Sequence, residues 1–397
     1  MLTMRSVKVK GRSKDYIAHP WIFRDKVADA GDAQPGENVL VFTTKGAFIG
    51  SAIYNPKSKI TLRFYSRARE ELDYIGLKFR LMQADQVRQT LLPGETSYRM
   101  AFGESDDLPG LIIDRYENGF VIQILSLGME IRRNAVLNAL IDAFEPQFVY
   151  ERSDSMLRIE EGLNQRSGLL YGELPEELII TSAGVKYHVD VAHGQKTGFF
   201  FDQRENRLAL ERYAKGVKRA LDLFSYTGGF TLHLLKGGAK VVYAVDRSRP
   251  AIELLKQNVE LNGYSSQRVL TFVKDVFEFL EEMSLAGEKF DLIVIDPPSF
   301  AKKRKDIGEA LGAYRTLHEK AIALLNDGGY IATFSCARYI SEADLIGSFY
   351  VAARRLGKSF YLVEHLHQAK DHPVLVGFPE SEYLKGVLLK HKFSPSD

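Results

Sequence analysis

Residues 290–300 read FDLIVIDPPSF. A short apolar run of this kind has the length of a buried strand, and Pro297 and Pro298 cannot continue one. The segment sits inside a regular alternation that starts at Arg219. Strand-like RALDLF, VVYAVD, VLTFV and GYIATFSC interleave with helix-like GFTLHLLKGG, PAIELLKQNVELNG, VFEFLEEM and EALGAYRTLHEKAIALL. Strands separated by helices of these lengths predict an α/β fold with a doubly wound, mostly parallel sheet.

Upstream the pattern changes twice. Gly36, Gly46 and Gly50 punctuate alternating residues up to a closing strand at 58–65, which suits a small β-rich barrel or sandwich. The periodicity turns helical near 73–91. Residues 97–151 then give three strand-like runs, one helix (MEIRRNAVLNALIDAF) and a further strand, a small mixed α/β unit. Three domains are expected, at 1–73, 74–182 and 183–397, because 397 residues exceed the usual size of one core.

Composition narrows the class. The chain is 45% hydrophobic and 26% charged, in the ordinary globular range. The first twenty residues lack an apolar signal core and no apolar run reaches membrane-spanning length, so a soluble cytoplasmic protein without a membrane partner is expected. A single cysteine, Cys336, rules out an intramolecular disulfide and a multi-thiolate metal site, and no histidine has metal-ligand spacing; no metal is expected. Net charge is only +2, but residues 1–70 hold thirteen Lys/Arg against six acids. Such a segment can act as a landing surface for phosphates, or simply as a solvated one.

In open α/β sheets ligands bind beyond the carboxyl ends of the strands, and here those ends carry polar groups. The first reads Asp222-Leu-Phe224-Ser225-Tyr226-Thr-Gly228-Gly229, whose glycines let backbone approach a ligand at a helix N-terminus. Neither the dinucleotide glycine pattern nor a phosphate-binding loop is present. Asp246, followed by Arg247, ends the second strand and is placed to accept both ribose hydroxyls. Asp275 with the Val276 amide ends the third, placed to read an adenine edge. Any one of these acids could merely cap a helix. In series with Asp296 they point to a cationic, adenosine-containing cofactor, S-adenosylmethionine. Lys196, Phe199 and Arg204, in a polar-aromatic run before the first strand, read either as a packed hairpin or as a flap over the methionine end of that cofactor.

The pair Asp296 and Cys336 carries the chemistry. Asp296-Pro297-Pro298-Ser299-Phe300 is similar to the motif with which nucleobase and amide N-methyltransferases grip an amino group and stack an aromatic on the base. Cys336 adds a second possibility, since a thiolate adding to carbon 6 of a pyrimidine makes carbon 5 nucleophilic. The plain alternative is a small buried hydrophobe. Cys336 falls at the end of the strand next to the one bearing Asp296, in the cleft, which favours the nucleophile. Lys302, Lys303 and Arg304 follow the Asp-Pro-Pro loop; such a charge run reads either as merely solvated or, beside the base pocket, as a grip on phosphates, and with Pro297, Pro298 and Phe300 it forms the candidate surface for substrate RNA.

These motifs resemble those of the ribosomal RNA large subunit methyltransferase I family, the cytosine-C5 methyltransferases of large-subunit rRNA. HPWIF (19–23) and YNPKSKI (54–60) resemble that family's PUA domain. YERSD (150–154) and EGL (161–163) match its middle domain, and GQKTGFFFDQRENR (194–207), DLFSYTGGF (222–230), DPPSF (296–300), FSC (334–336) and DHPVLVGFPESEYLKG (371–386) the remainder. The resemblance implies a class I methyltransferase Rossmann-like sheet behind a PUA barrel, S-adenosylmethionine as cofactor, 23S rRNA or a large-subunit assembly intermediate as partner, 5-methylcytidine as product and Cys336 as nucleophile. Two departures stand out: Ala337 replaces the family's usual serine, and Ser299 stands where some other cytosine-C5 RNA methyltransferases place a second cysteine. The residues leave oligomeric state open, a homodimer included. They also leave open N-methylation of guanine or adenine in rRNA, with Cys336 structural, and a noncatalytic ribosome-assembly role.

Overall fold

The computed structural model describes residues 4–301 and 303–393. Arg5–Val9 (β1), Trp21–Phe23 (β2), Val27–Asp29 (β3), Asn38–Thr43 (β4), Phe48–Tyr54 (β5) and Ile60–Ser66 (β6) form a sheet in the order β2-β6-β5-β4-β1-β3. β1 runs parallel to β4 and the other neighbours are antiparallel. Val7, Val9, Val39 and Val41 point into its core while Lys8 and Lys10 point out, the period-2 pattern of a half-buried sheet.

Tyr74–Leu91 (α1) begins where the Asp73 side chain accepts the Gly76 N–H at 2.8 Å. Tyr98–Phe102 (β7), Leu111–Tyr116 (β8), Gly119–Ile124 (β9), Leu127–Ile131 (α2), Arg133–Phe144 (α3), Phe148–Ser153 (β10), Leu157–Glu160 (α4) and Arg166–Gly172 (β11) follow, with the strands ordered β11-β10-β9-β8-β7. The single helix expected over MEIRRNAVLNALIDAF is interrupted at Arg132 (φ −92, ψ 8). Its guanidinium donates to the carbonyls of Leu72, Gly36 and Gly128, and those bonds hold the break. Ile53 and Tyr65 from the first sheet share a core with Leu77, Met100, Ile122 and Val149.

The hairpin Ile179–Ser182 (β12) and Val185–His188 (β13) precedes Arg204–Tyr213 (α5). Then come Arg219–Leu223 (β14), Gly229–Lys236 (α6), Val241–Asp246 (β15), Arg249–Leu261 (α7), Val269–Val273 (β16), Val276–Leu285 (α8), Phe290–Ile295 (β17), Ile307–Ala323 (α9), Leu325–Ser335 (β18), Glu342–Arg355 (α10), Phe360–His367 (β19) and Lys385–His391 (β20). Their sheet is ordered β16-β15-β14-β17-β18-β20-β19. The first five are parallel, and β20 pairs antiparallel with both β18 and β19. This is the expected doubly wound sheet, with an antiparallel strand inserted near one edge. Leu221, Leu223, Ile293, Ile295, Leu317 and Ile331 are fully buried in its core.

The chain divides into two compact units. One runs to Ile180 and takes in Val189–Phe201 and Lys370–Ser381; the other comprises Thr181–His188, Asp202–Ala369 and the chain from Glu382. Among the described residues no helix is long and apolar enough to cross a membrane, and no cluster of three or more His, Cys, Asp or Glu could hold a metal ion.

In the first unit the Arg63 guanidinium bonds Glu104 at 2.6 Å and Glu161 at 3.0 Å, and all three side chains are largely buried. Trp21 joins this network, its ring under Arg63 and its Nε1–H donating to Glu104 at 2.6 Å. Removing the cation would leave two buried carboxylates uncompensated. Arg63→Ala is therefore expected to lower stability by about 3–5 kcal/mol, read from urea unfolding followed by the fluorescence of Trp21, the sole tryptophan. A change under ~0.5 kcal/mol would contradict this role.

Candidate active site and cofactor cleft

The strand order reverses between β14 and β17, the switch point at which doubly wound sheets bind ligands. In register, Leu223 at the end of β14 pairs with Val245 on one side and Ile295 on the other, and Ile295 pairs with Thr333 of β18. The residues just past these positions are therefore neighbours. Asp296 is level with Phe334, and Cys336 stands one strand over and two residues farther along.

Asp222 is fully buried on β14. Its Oδ2 accepts the Thr231 hydroxyl at 2.6 Å and the Thr231 N–H at 2.9 Å, which ties the strand to the start of α6. Its Oδ1 is buried with no hydrogen-bond partner among the described residues. Burial pushes its pKa up to about 7, against the Thr231 hydrogen bonds, and Asp296 adds to the rise. The loop that follows is strained: Phe224 (φ 62), Tyr226 (φ 47) and Gly228 (φ 88) are all left-handed. For a side-chain-bearing residue that conformation costs about 1–2 kcal/mol, and such strain clusters at functional sites. A Cβ on Gly229 would lie 2.7 Å from the Arg207 Nε, so any larger residue there would displace the guanidinium.

Asp246 is held at both oxygens, by the Tyr226 N–H at 3.0 Å and the Ser248 N–H at 2.8 Å. Each oxygen keeps a second lone pair for a ligand hydroxyl. Arg247 beside it is exposed, Asp275 caps α8 by accepting the Phe277 N–H at 2.9 Å, and Val276 is buried at the first position of that helix. Asp275 thus does serve as a helix cap, with its second oxygen uncommitted to that bond.

Arg204 and Arg207 lie one turn apart on α5. Arg204 is buried with its Nε–H donating to Ser182 at 3.2 Å; Arg207 is the one against the glycine pair. Burial pulls the Arg207 pKa down, opposed by Tyr187, Asp202 and Asp296. The sequence carried no signal separating the two arginines. Lys196 and Phe199 belong to the first unit. There the Lys196 ammonium lies over the Phe200 ring, Phe199 packs edge-on against Phe201, and Thr197 between them bonds Asp114 and Tyr116.

On the other side of the cleft, Cys336 is half-buried as the first residue past β18. Pro297 is buried, Pro298 exposed and Phe300 half-buried, its ring edge-on to Tyr314 at 5.0 Å. Phe300, Ala301, Ala310, Tyr314, Ala337 and Ile340 form a small separate core beneath both loops. The Tyr314 hydroxyl is buried without a well-formed hydrogen bond, beside Ser335, and both Cys336 and Asp296 lie near enough to add to the upward push that burial exerts on its pKa. Below them, His318 bridges Thr333 Oγ1 at 2.9 Å and Ser348 Oγ at 3.1 Å, and burial drops its pKa to about 3, so it is a neutral brace. Lys303 and Arg304 are exposed at the approach to α9, and Lys302 lies outside the described residues. Sequence reasoning missed Tyr314, Arg207 and His318, which lie in helices with no distinctive motif.

A model of the S-adenosylmethionine-dependent methyltransferase family matches residues 159–388, and one for a PUA-like domain matches residues 10–67. Over 389 residues the chain is 40% identical to ribosomal RNA large subunit methyltransferase I of Vibrio cholerae serotype O1, spanning 96% of this chain and 98% of that one. The chain belongs to the ribosomal RNA large subunit methyltransferase I family. A Klebsiella pneumoniae relative of the same name is 42% identical over 389 residues, covering 96% and 97% of the two chains. A SAM-dependent methyltransferase from Streptococcus mutans shares the fold, with a TM-score of 0.82 at 23% identity over 98% and 100% of the chains. The methyltransferase SMU.776 complexed with SAH does so at a TM-score of 0.84 and 22% identity, over the same shares.

The family's cofactor is S-adenosylmethionine, and the residues present fit it. Asp222 Oδ1, near the end of β14, and Ser225 Oγ, in the strained loop that follows, are buried polar atoms without a partner among the described residues, and a cationic ligand with N–H donors would satisfy them. A positive ligand favours the ionised form of Asp222, which is protonated below about pH 7. If S-adenosylmethionine binds only the ionised form, calorimetric binding is therefore expected to tighten roughly tenfold between pH 6 and 8, as the ionised fraction rises from about a tenth to about nine tenths. The same dependence should flatten in Asp222→Asn. Equal pH dependence in both proteins would contradict the assignment.

Proposed function

We propose that the protein methylates carbon 5 of a cytosine in 23S ribosomal RNA through a covalent bond between Cys336 and carbon 6. The observation that carries this reading is the placement of the lone thiol at the end of β18, beside the strand that delivers Asp296, with Tyr314 packed near both. The cofactor supplies an electrophilic methyl group. Cys336 Sγ, as thiolate, bonds to carbon 6, and the displaced π electrons make carbon 5 nucleophilic toward that methyl group. Loss of the carbon-5 proton restores the double bond and returns the carbon–sulfur electron pair to Cys336. Asp296 is assigned to hydrogen-bond the cytosine N3 or exocyclic amine while the adduct exists.

In this reading Asp222, Phe224, Ser225, Tyr226, Gly228, Asp246, Arg247, Asp275 and Val276 form the cofactor cleft. Lys303 and Arg304 grip phosphates beside the base, which must leave its stack to reach the thiol. The exposed cations in and after β1, Lys8, Lys10, Arg12 and Lys14 among them, supply a second RNA surface. The substrate is 23S rRNA or a large-subunit assembly intermediate.

The test is a trap. With S-adenosylmethionine and rRNA fragments carrying 5-fluorocytidine, fluorine at carbon 5 cannot leave as a proton, so protein and RNA should remain joined on a denaturing gel. The joined band should vanish in Cys336→Ala, with at least a thousandfold loss of methylation. No band, together with methyl transfer to a ring or exocyclic nitrogen found by nucleoside mass spectrometry, would instead support N-methylation through Asp296-Pro297-Pro298.

A further inference from the structure

A thiol used as a nucleophile has to be ionised, and an isolated cysteine is mostly protonated near neutral pH. The buried Arg207 of the cofactor cleft is matched to the acids Asp202 and Asp296 and does not supply a cation to the end of β18. The antiparallel strand β20 does. Ser335 pairs with Lys385 across the β18–β20 ladder, so the first residue of β20 stands beside the last residue of β18. The Lys385 side chain reaches over the loop that follows: its Nζ donates to the Ala337 carbonyl at 3.1 Å, one residue beyond Cys336. That bond anchors a half-buried ammonium next to the half-buried sulfur.

We infer that Lys385 is a positioning residue whose fixed ammonium holds Cys336 in its thiolate form, an assignment that rests on the covalent reading above. Opposite charges partly withdrawn from water interact far more strongly than the same pair at an open surface. The electrostatics run in both directions. Burial lowers the Lys385 pKa, while Glu382 and Cys336 pull it back up. Such mutual attraction is the condition for an ion pair between the two side chains.

The other charged or titratable groups around the sulfur do not substitute for it. Asp296 beyond β17 and Glu382 ahead of β20 are acids and oppose a thiolate. Tyr314 on α9 is kept protonated by burial and offers at most a hydroxyl. Arg338, two residues along the loop, is exposed with its guanidinium over the Tyr339 ring at 5.9 Å. Among the groups described around the sulfur, Lys385 combines a cation, partial burial and an anchoring bond. A merely structural Lys385 would tie β20 to the loop through the Ala337 carbonyl and leave the acidity of the thiol alone.

The two roles separate in one titration. Cys336 is the only cysteine, so the rate of iodoacetamide alkylation against pH, with the product located by mass spectrometry, reports its ionisation and nothing else. The wild-type midpoint is expected at about 7 or below, against about 8.5 for an isolated thiol. Lys385→Met should raise it by about one unit or more, and Lys385→Arg should recover most of the shift. Equal midpoints in wild type and Lys385→Met would overturn the assignment. So would a wild-type midpoint of about 8.5 or above, which needs no variant to fold. The titration uses neither RNA nor cofactor. An unshifted profile beside intact trapping of 5-fluorocytidine therefore removes only the role of Lys385, whereas failure of wild-type trapping removes the covalent reaction itself.

Discussion

Everything at the candidate site depends on the parallel pairing of β17 with β14 on one flank and β18 on the other. Hydrogen-bonded strands lie about 4.8 Å apart and advance about 3.3 Å per residue. Once Ile295 is registered against Leu223 and Thr333, the positions of Asp296 and Cys336 follow within narrow limits. A slip of one residue in either ladder would turn the affected side chains to the opposite face. The buried aliphatic residues on both faces of these strands, Ile293, Ile295 and Ile331 among them, hold the register because a slip would break their packing against the helices on each side.

The second consequence is electrostatic. Burying the cleft raises the cost of every charge in it, so charges persist only with partners. Asp222 answers by titrating near pH 7, and Arg207 by lying among Tyr187, Asp202 and Asp296. A site assembled this way favours an incoming cation near Asp222 and an anion near Lys385. Those preferences match a sulfonium cofactor on one side and a thiolate on the other, the arrangement the proposed reaction requires.

Rigidity comes from a layer behind Asp296 and Cys336. Phe300 and Ala301 from the loop after β17, and Ala337 and Ile340 from the loop after β18, pack around Tyr314 in a common small core. The two loops are therefore braced by one helix, α9, and His318 on its next turn ties that helix to Thr333 and to Ser348 of α10. Ala337 fits this layer as an apolar residue whose carbonyl, rather than its side chain, makes the polar contact. The ring of Phe300 supports the loop here by packing on Tyr314.

The sequence by itself determined the alternating α/β sheet, the acids at its strand ends and the single thiol, because hydrophobic period and turn-forming residues are local properties. It did not reveal β20 beside β18. β20 follows β19 in the chain but inserts between it and β18, and that choice depends on which edge buries the apolar residues best. Nor did it separate Arg207 from Arg204, since both lie on one helix and only the approach of Gly229 distinguishes them. Three predicted acids proved to have structural bonds as well: Asp222 to Thr231, Asp246 to two amides, Asp275 to its own helix. Tertiary structure alone decided that Tyr314 and Lys385 lie near Cys336. Their distance along the chain is large, and only the packing of α9 and the pairing of β20 close it.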